Sequence, residues 1–317
     1  MPLSPFQRHR ARVLAEQAAQ ASPFGEETQG SEYQLYMAKL AADKRTLKQI
    51  ESILLKRRTK ARLLLEYLPW IDGVLTKGQG AQDIVLTTVM VWAIDAGAYS
   101  IALDIGAYVL KHGLALPDHY NRTPATVLID EFSDAYLRNQ WTPLKRGSNA
   151  AGEPEMVADD IEPVHYLIGA GALTEASDAP DQARAKLRKA TAYALLGKVQ
   201  TAESPDLEKL PAEVLQMALS MLHAALSIDP ESGVKKDIER IERKLAAASA
   251  GKVTLPDVNA SPAVAAAPVA DTAAAAAEPT PKTDVVNNKT AAKKTATATP
   301  KGATARAKPG RKPAAAK

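Results

Sequence analysis

Apolar side chains recur at helical spacing through most of the first 248 positions and then almost cease. Over 31–67 the chain holds no glycine or proline, and Leu40, Leu47, Ile50, Leu54, Ala61, Leu64 and Leu68 follow one another at three, four and seven. That spacing places them on one stripe and predicts a single long helix over 31–68, opened by Ser31 and Glu32 and closed at Pro69 and Trp70. Gly73, Gly78 and Gly80 then read as a turn-rich connection. A helical pair follows over 81–96 and 99–112, broken at Gly97 and stopped at Gly113, and a further helix over 124–139 has Pro124 in its first turn. The stretch 141–163 carries Pro143, Gly147, Gly152, Pro154 and Pro163 and is expected to be a loop. Helical pattern returns over 164–173, 180–196, 211–228 and 233–248.

The last two of these resemble a tetratricopeptide hairpin, in which small residues such as Ala218, Ala224 and Ala225 let two helices approach closely. Only one such unit is clear, and a solenoid needs about three to bury a continuous core. The expected fold is therefore all-α: a flexible leader over 1–30 with at most a short helix over 5–20, the long basic helix over 31–68, and a helical domain over 69–248. Beyond Gly251 the chain is alanine, proline, threonine and lysine. Ordering a residue costs about 1–2 kcal/mol of backbone entropy, which alanine and valine bury too little surface to offset. The tail over 249–317 is expected to be disordered.

Composition narrows the classes. There is no cysteine, so disulfides, a thiol nucleophile and a cysteine zinc site are excluded, and a reducing cytoplasm suits the chain. The most apolar run, 84–94, is far short of the roughly 20 residues that cross a bilayer. Arg8, Arg10 and Arg12 lead to Glu16 and Gln17 and not to an apolar signal region, so no membrane partner is expected. The net charge of +4 divides unevenly: 285–317 carry nine cations and no acid, leaving −5 for residues 1–284. Basic character belongs to the tail and to local patches.

Two patches point to a polyanion. In the tail Lys293, Lys294, Lys308, Arg311 and Lys312 are spaced cations that displace counterions from phosphates without fixed geometry, and they offer no sequence readout. On the predicted long helix, Lys44, Arg45 and Lys48 are followed by Lys56, Arg57, Arg58, Lys60 and Arg62, whose mutual repulsion a nucleic acid would relieve. A solubilising tail and a solvated helix face are the plainer alternatives.

Other chemistry is weaker. The stretch from Gly73 to Gly78 begins like a phosphate-binding loop but continues with Gln79 and Gly80 where lysine and a hydroxyl residue are needed. Asp83, Asp95, Asp104, Asp130, Glu131, Asp134, Asp159 and Asp160 are acids a metal-dependent nuclease could use, yet no spacing singles them out. His119 with Asn121 echoes a histidine nuclease motif without its second half. Glu242-Arg243-Lys244 reads as a surface ion-pair face, and His9, His112, His165 and His223 stand singly, without metal-ligand spacing. Trp70 and Trp92 read as core fillers. No nuclease or ATPase centre is identifiable and no cofactor is identified.

Several segments, in order, resemble the small terminase subunit of Peduovirus-type tailed phages, a family labelled terminase endonuclease subunit. They are Lys39-Leu40-Ala41-Ala42-Asp43-Lys44-Arg45-Thr46-Leu47-Lys48, Leu68-Pro69-Trp70 with Gly73-Val74-Leu75, and Gly78 with Gly80-Ala81-Gln82-Asp83. Thr88-Val89-Met90 with Trp92, Arg122-Thr123-Pro124 and Gly233-Val234-Lys235-Lys236 continue the series. The resemblance implies a subunit that binds double-stranded phage DNA at a cohesive-end site in the host cytoplasm. It acts there with a large terminase ATPase subunit in cleavage and packaging into a procapsid. A divalent metal such as magnesium is implied only if this subunit makes the cut. Homo-oligomerisation is implied as well, with Leu40, Leu47 and Leu54 either a seam between copies or packing on their own domain. A helical-repeat adaptor and a non-specific DNA-coating protein are the alternative classes.

Overall fold

The structure, a computed structural model, describes residues 4–118, 120–199 and 206–250, with side chains up to residue 248. The expected tail and its cations Lys293, Lys294, Lys308, Arg311 and Lys312 lie outside the described residues.

The leader is not a loose segment over its length. Helix α1 (Pro5–Ala21) opens on a reciprocal cap, in which Ser4 Oγ accepts from the Gln7 amide and Gln7 Oε1 accepts from the Ser4 amide, with Pro5 at the first helical position. Ala15 and Ala19, one turn apart, are buried. They pack by close approach and not by large area, so the short helix expected over 5–20 forms despite its low apolar content. Its partner is Gly73: a Cβ there would lie 2.5 Å from the Ala15 Cβ and 2.8 Å from the Glu16 amide nitrogen. Gly73→Ala is expected to destabilise by about 1–3 kcal/mol, because backbone rather than a side-chain tip would have to move. A urea titration should show a lower midpoint at unchanged slope; an unaltered midpoint would mean that α1 is not seated there.

The rod expected over 31–68 is two helices, α2 (Ser31–Gln49) and α3 (Ile53–Lys77). At the corner Ile50 is extended, with φ −85° and ψ 124°, and Ser52 caps α3 by accepting from the Leu55 amide at 3.2 Å. The apolar spacing runs through the corner because Leu40, Leu47, Ala61 and Leu64 all bury into one core. The spacing reported a shared core and not a continuous helix. Pro69 likewise does not end α3, which continues to Lys77. Proline inside a helix costs about 3 kcal/mol, chiefly through the bond lost to the Leu65 carbonyl. Burial of Tyr67, Trp70, Ile71 and Val74 around it offsets that, at about 1.5–3 kcal/mol for each large apolar side chain.

Helices α4 (Ile84–Ala96), α5 (Tyr99–His112) and α6 (Pro124–Leu137) follow the sequence expectation. Asp83 caps α4, Thr123 caps α6, and Gly97 and Gly113 take left-handed backbone at the two stops. Almost every side chain of α4 is buried, so it forms the centre of the core. The stretch expected as a loop contains a two-stranded antiparallel hairpin, β1 (Leu144–Ser148) with β2 (Pro154–Ala158), in register Leu144 to Ala158 and Gly147 to Glu155. Helices α7 (Pro163–Thr174), α8 (Asp181–Leu195), α9 (Ala212–Ile228) and α10 (Lys235–Ala250) complete the described chain, with a single 3₁₀ turn Leu207–Lys209 before α9. Leu215, Ala218, Leu222 and Ala225 of α9 are buried, as are Ile238 and Ile241 of α10, in the hairpin the sequence anticipated. The fold is all-α, and the small hairpin is its one described sheet.

Candidate nucleic-acid interface

Leu54, Arg58 and Arg62 fall four residues apart on α3 and share one face. With Arg57, Ala61 and Leu65 they form one wall of an open cleft of about 560 Å³, and Thr142, Leu144, Glu155 and Met156 from the hairpin region line the other. What fixes this cleft is Arg57. Its Nε donates to the Asp95 carbonyl at 2.9 Å, and Nη2 donates to the Gln140 carbonyl at 3.0 Å and to Thr142 Oγ1 at 2.8 Å. Beside it Lys60 pairs with the Asp95 carboxylate, and Arg146 on β1 pairs with Asp72 of α3 at 2.7 Å. The chain also passes so close to Gly97 that a Cβ there would run into the Thr142 carbonyl, while the Leu144 amide donates to the Gly97 carbonyl at 2.8 Å. Trp141 stacks on Tyr99 with ring centroids 3.9 Å apart, anchoring the approach to β1. The hairpin is thus held by its neighbours, which is why its own sequence carried so little strand signal.

The predicted helix cations divide into two sets. Arg45 and Lys48 are exposed near the end of α2, Arg58 and Arg62 are exposed on α3, and Lys56 is partly exposed. None of these five forms an ion pair with an acid among the described residues. Arg57 and Lys60 instead turn inward as fasteners. Lys44 is half-buried, and loss of hydration lowers its ammonium pKa. A run of like charges does not say which of them a helix turns inward. Opposite the arginines, Glu155 on β2 supplies the one acid lining the cleft.

Ile53 and Leu55, which the sequence did not single out, stand with Leu54 as exposed large apolar residues at the first turn of α3. The stripe that could have been a seam is divided, because Leu40 and Leu47 bury into their own core while Leu54 faces outward.

The weaker candidates are absorbed by structure. The Gly80 amide donates to Tyr108 Oη at 2.8 Å, and Gly73 lies inside α3. Asp83 is fully buried: Oδ2 accepts from the Trp70 indole at 2.9 Å and Oδ1 from the Leu86 amide at 2.8 Å. Asp130 and Asp134 pair with Lys186, Glu131 with Arg122, and Asp159 and Asp160 with Lys145. Partial loss of hydration raises the Asp104 carboxyl above its ordinary pKa. Among the described residues no group of three or more histidines and carboxylates stands together to hold a metal ion. His119 lies outside the described residues. Glu242 meets His223 at 3.1 Å and Lys244 pairs with Glu208, an ion-paired surface as the sequence suggested. Trp70 and Trp92 are buried, with Tyr33 stacked on the first and Tyr67 edge-on to the second.

The molecule is thus a helical protein with an open arginine-lined cleft, and no described helix is long and apolar enough to cross a membrane. Comparison with known sequences gives this class its family. Residues 37–182 match the model for the phage small terminase subunit. The chain is 39% identical over 247 residues to the terminase endonuclease subunit of Escherichia phage P2, a match covering 76% of this chain and 85% of that protein. This chain belongs to the phage small terminase subunit family, whose role is in phage DNA packaging. No solved structure matches it.

Proposed function

We propose that this subunit binds viral duplex DNA at the cohesive-end site and hands it to the large ATPase subunit for cleavage and packaging, acting as a homo-oligomer in the host cytoplasm. The observation that carries the reading is the α3 face, where Arg58 and Arg62 stand exposed without an acid partner among the described residues. Arg45, Lys48 and Lys56 extend the same positive surface toward α2, and Lys293, Lys294, Lys308, Arg311 and Lys312 add a second, sequence-independent grip from the tail. In this reading the exposed helix cations position the duplex, and Arg57 and Lys60 hold the helix in place. The name of the P2 relative assigns it endonuclease activity; the cut at the cohesive end is assigned here to the complex with the large subunit.

A mobility-shift comparison of cohesive-end DNA with random duplex tests the proposal. Preference for the cohesive-end fragment is the expected result, equal binding would indicate a coating protein, and no binding an adaptor. A chain ending at Ser249 should bind more weakly while keeping its preference, since phosphate contacts carry affinity and not sequence. Loss of the preference with the tail would move recognition away from the helices.

A further inference from the structure

Ile53, Leu54 and Leu55 are 76, 58 and 52% exposed. Three consecutive residues step around a helix by about 100° each, so they cap the tip of the α2–α3 corner and cannot all bury against one face of their own core. Singly exposed apolar residues are ordinary, whereas a contiguous patch of large ones calls for a partner.

The surrounding charge selects that partner. Arg45 and Lys48 precede the corner on α2, Lys56, Arg58 and Arg62 follow it on α3, and the acids near them are Glu51 in the corner and Glu155 across the cleft that Leu54, Arg58 and Arg62 line. A second copy of the same corner would set cations against cations. The chain's own terminal stretch over 285–317, with nine cations and no acid, would be repelled as well. A nucleic-acid duplex matches these cations with phosphates, and it offers apolar side chains one dry surface, the stacked faces of its bases.

We infer that the α2–α3 corner is a wedge that bends duplex DNA: the flanking cations hold the phosphates while Leu54 and Leu55 enter a groove and partly unstack one base step. The inference rests on the DNA-binding reading above and adds a mechanical role to it. Apolar wedges of leucine or isoleucine kink a duplex by opening a step, and pyrimidine–purine steps open most easily. The corner therefore contributes to site choice through deformability, at a position where no hydrogen bond to a base edge is needed.

The test uses the full chain with duplexes of about 30 bp, labelled at both ends for energy transfer and carrying 2-aminopurine at a central TA step. The wild-type protein should raise both the transfer efficiency and the 2-aminopurine emission. Leu54→Ser with Leu55→Ser should leave both signals at the level of free DNA while affinity falls less than about ten-fold, because the phosphate contacts remain. Leu54→Phe, which keeps an apolar tip, should retain the bend. Thermal melting checks that the exposed substitutions leave the fold intact. Binding without bending by the wild type overturns the wedge and leaves the DNA-binding reading standing; absence of binding overturns both. A serine variant that still bends DNA but sediments as a smaller species also overturns it, and assigns the corner to contacts between copies.

Discussion

Replacing Asp83 with alanine is expected to cost about 2–5 kcal/mol of folding stability. Two losses combine: the cap of α4 contributes about 0.5–2 kcal/mol, and the Trp70 indole N–H, fully buried, is left without an acceptor at a further 1–3 kcal/mol or so. Against a total of about 5–15 kcal/mol this is a large fraction. The effect reaches the interface because Asp83 ties α4 to α3, the helix that presents Arg58 and Arg62. Asparagine should be intermediate. Its single carbonyl oxygen can accept from Leu86 or from Trp70, whereas the carboxylate serves both.

The same residue predicts a pH dependence. Burial pushes the Asp83 carboxyl up from 3.8 to about 6, although hydrogen bonds from the Leu86 amide, the Trp70 indole and the Val85 amide pull it down. The folded chain therefore holds this proton more tightly than the unfolded chain does. The stability it contributes is fully present below about pH 3.8 and is lost as pH rises through about 6. A gap of about two pH units at about 1.36 kcal/mol each corresponds to about 3 kcal/mol. An asparagine side chain does not titrate, so the advantage of wild type over Asp83→Asn should shrink between about pH 4 and pH 7. Urea unfolding of the two proteins in parallel measures that difference, with the other carboxylates cancelling. An advantage that widens with pH would mean that Asp83 folds as an already stabilised anion.

Where local chemistry and burial agree, the sequence was easy to read. Gly97, Gly113 and Pro124 sit at helix ends that need left-handed backbone or a missing amide, and the helices between them follow expectation. The reading went astray where burial and local structure part. Leu47 and Ala61 keep helical spacing across a corner because both enter one core, and Ser52, the cap that ends the continuity, is a single residue against seven in register. Around Pro69 the reverse holds, since burial carries a helix through a residue that should stop it. In β1 and β2 the sequence Lys145-Arg146-Gly147 and Pro154-Glu155 offers no alternation, and Arg57 and Gly97 supply the order from outside. The site divides in the same way. Cationic chemistry was legible in 56–62, but adjacent Arg57 and Arg58 are placed differently, the first bonded inward and the second exposed, and only the packing of α3 separates them.

That separation yields the second large prediction: Arg58→Ala with Arg62→Ala should lower duplex affinity about 30-fold near physiological salt and leave stability unchanged. Each phosphate contact contributes a slope of about −0.9 to the dependence of log affinity on log salt, worth about five-fold at 0.15 M relative to 1 M, so two contacts multiply to about 30-fold. The slope itself should fall by about 1.8. Arg57→Ala makes the contrast, because its guanidinium is spent on the Asp95 and Gln140 carbonyls and on Thr142. Its removal should lower the melting temperature and weaken binding by loosening the cleft, with the salt slope nearly intact. Fluorescence anisotropy across a salt series, with a melt for each variant, separates the two effects. If Arg58 and Arg62 can be removed without changing the slope, the phosphates are held elsewhere, and the cations of the tail become the main grip on DNA.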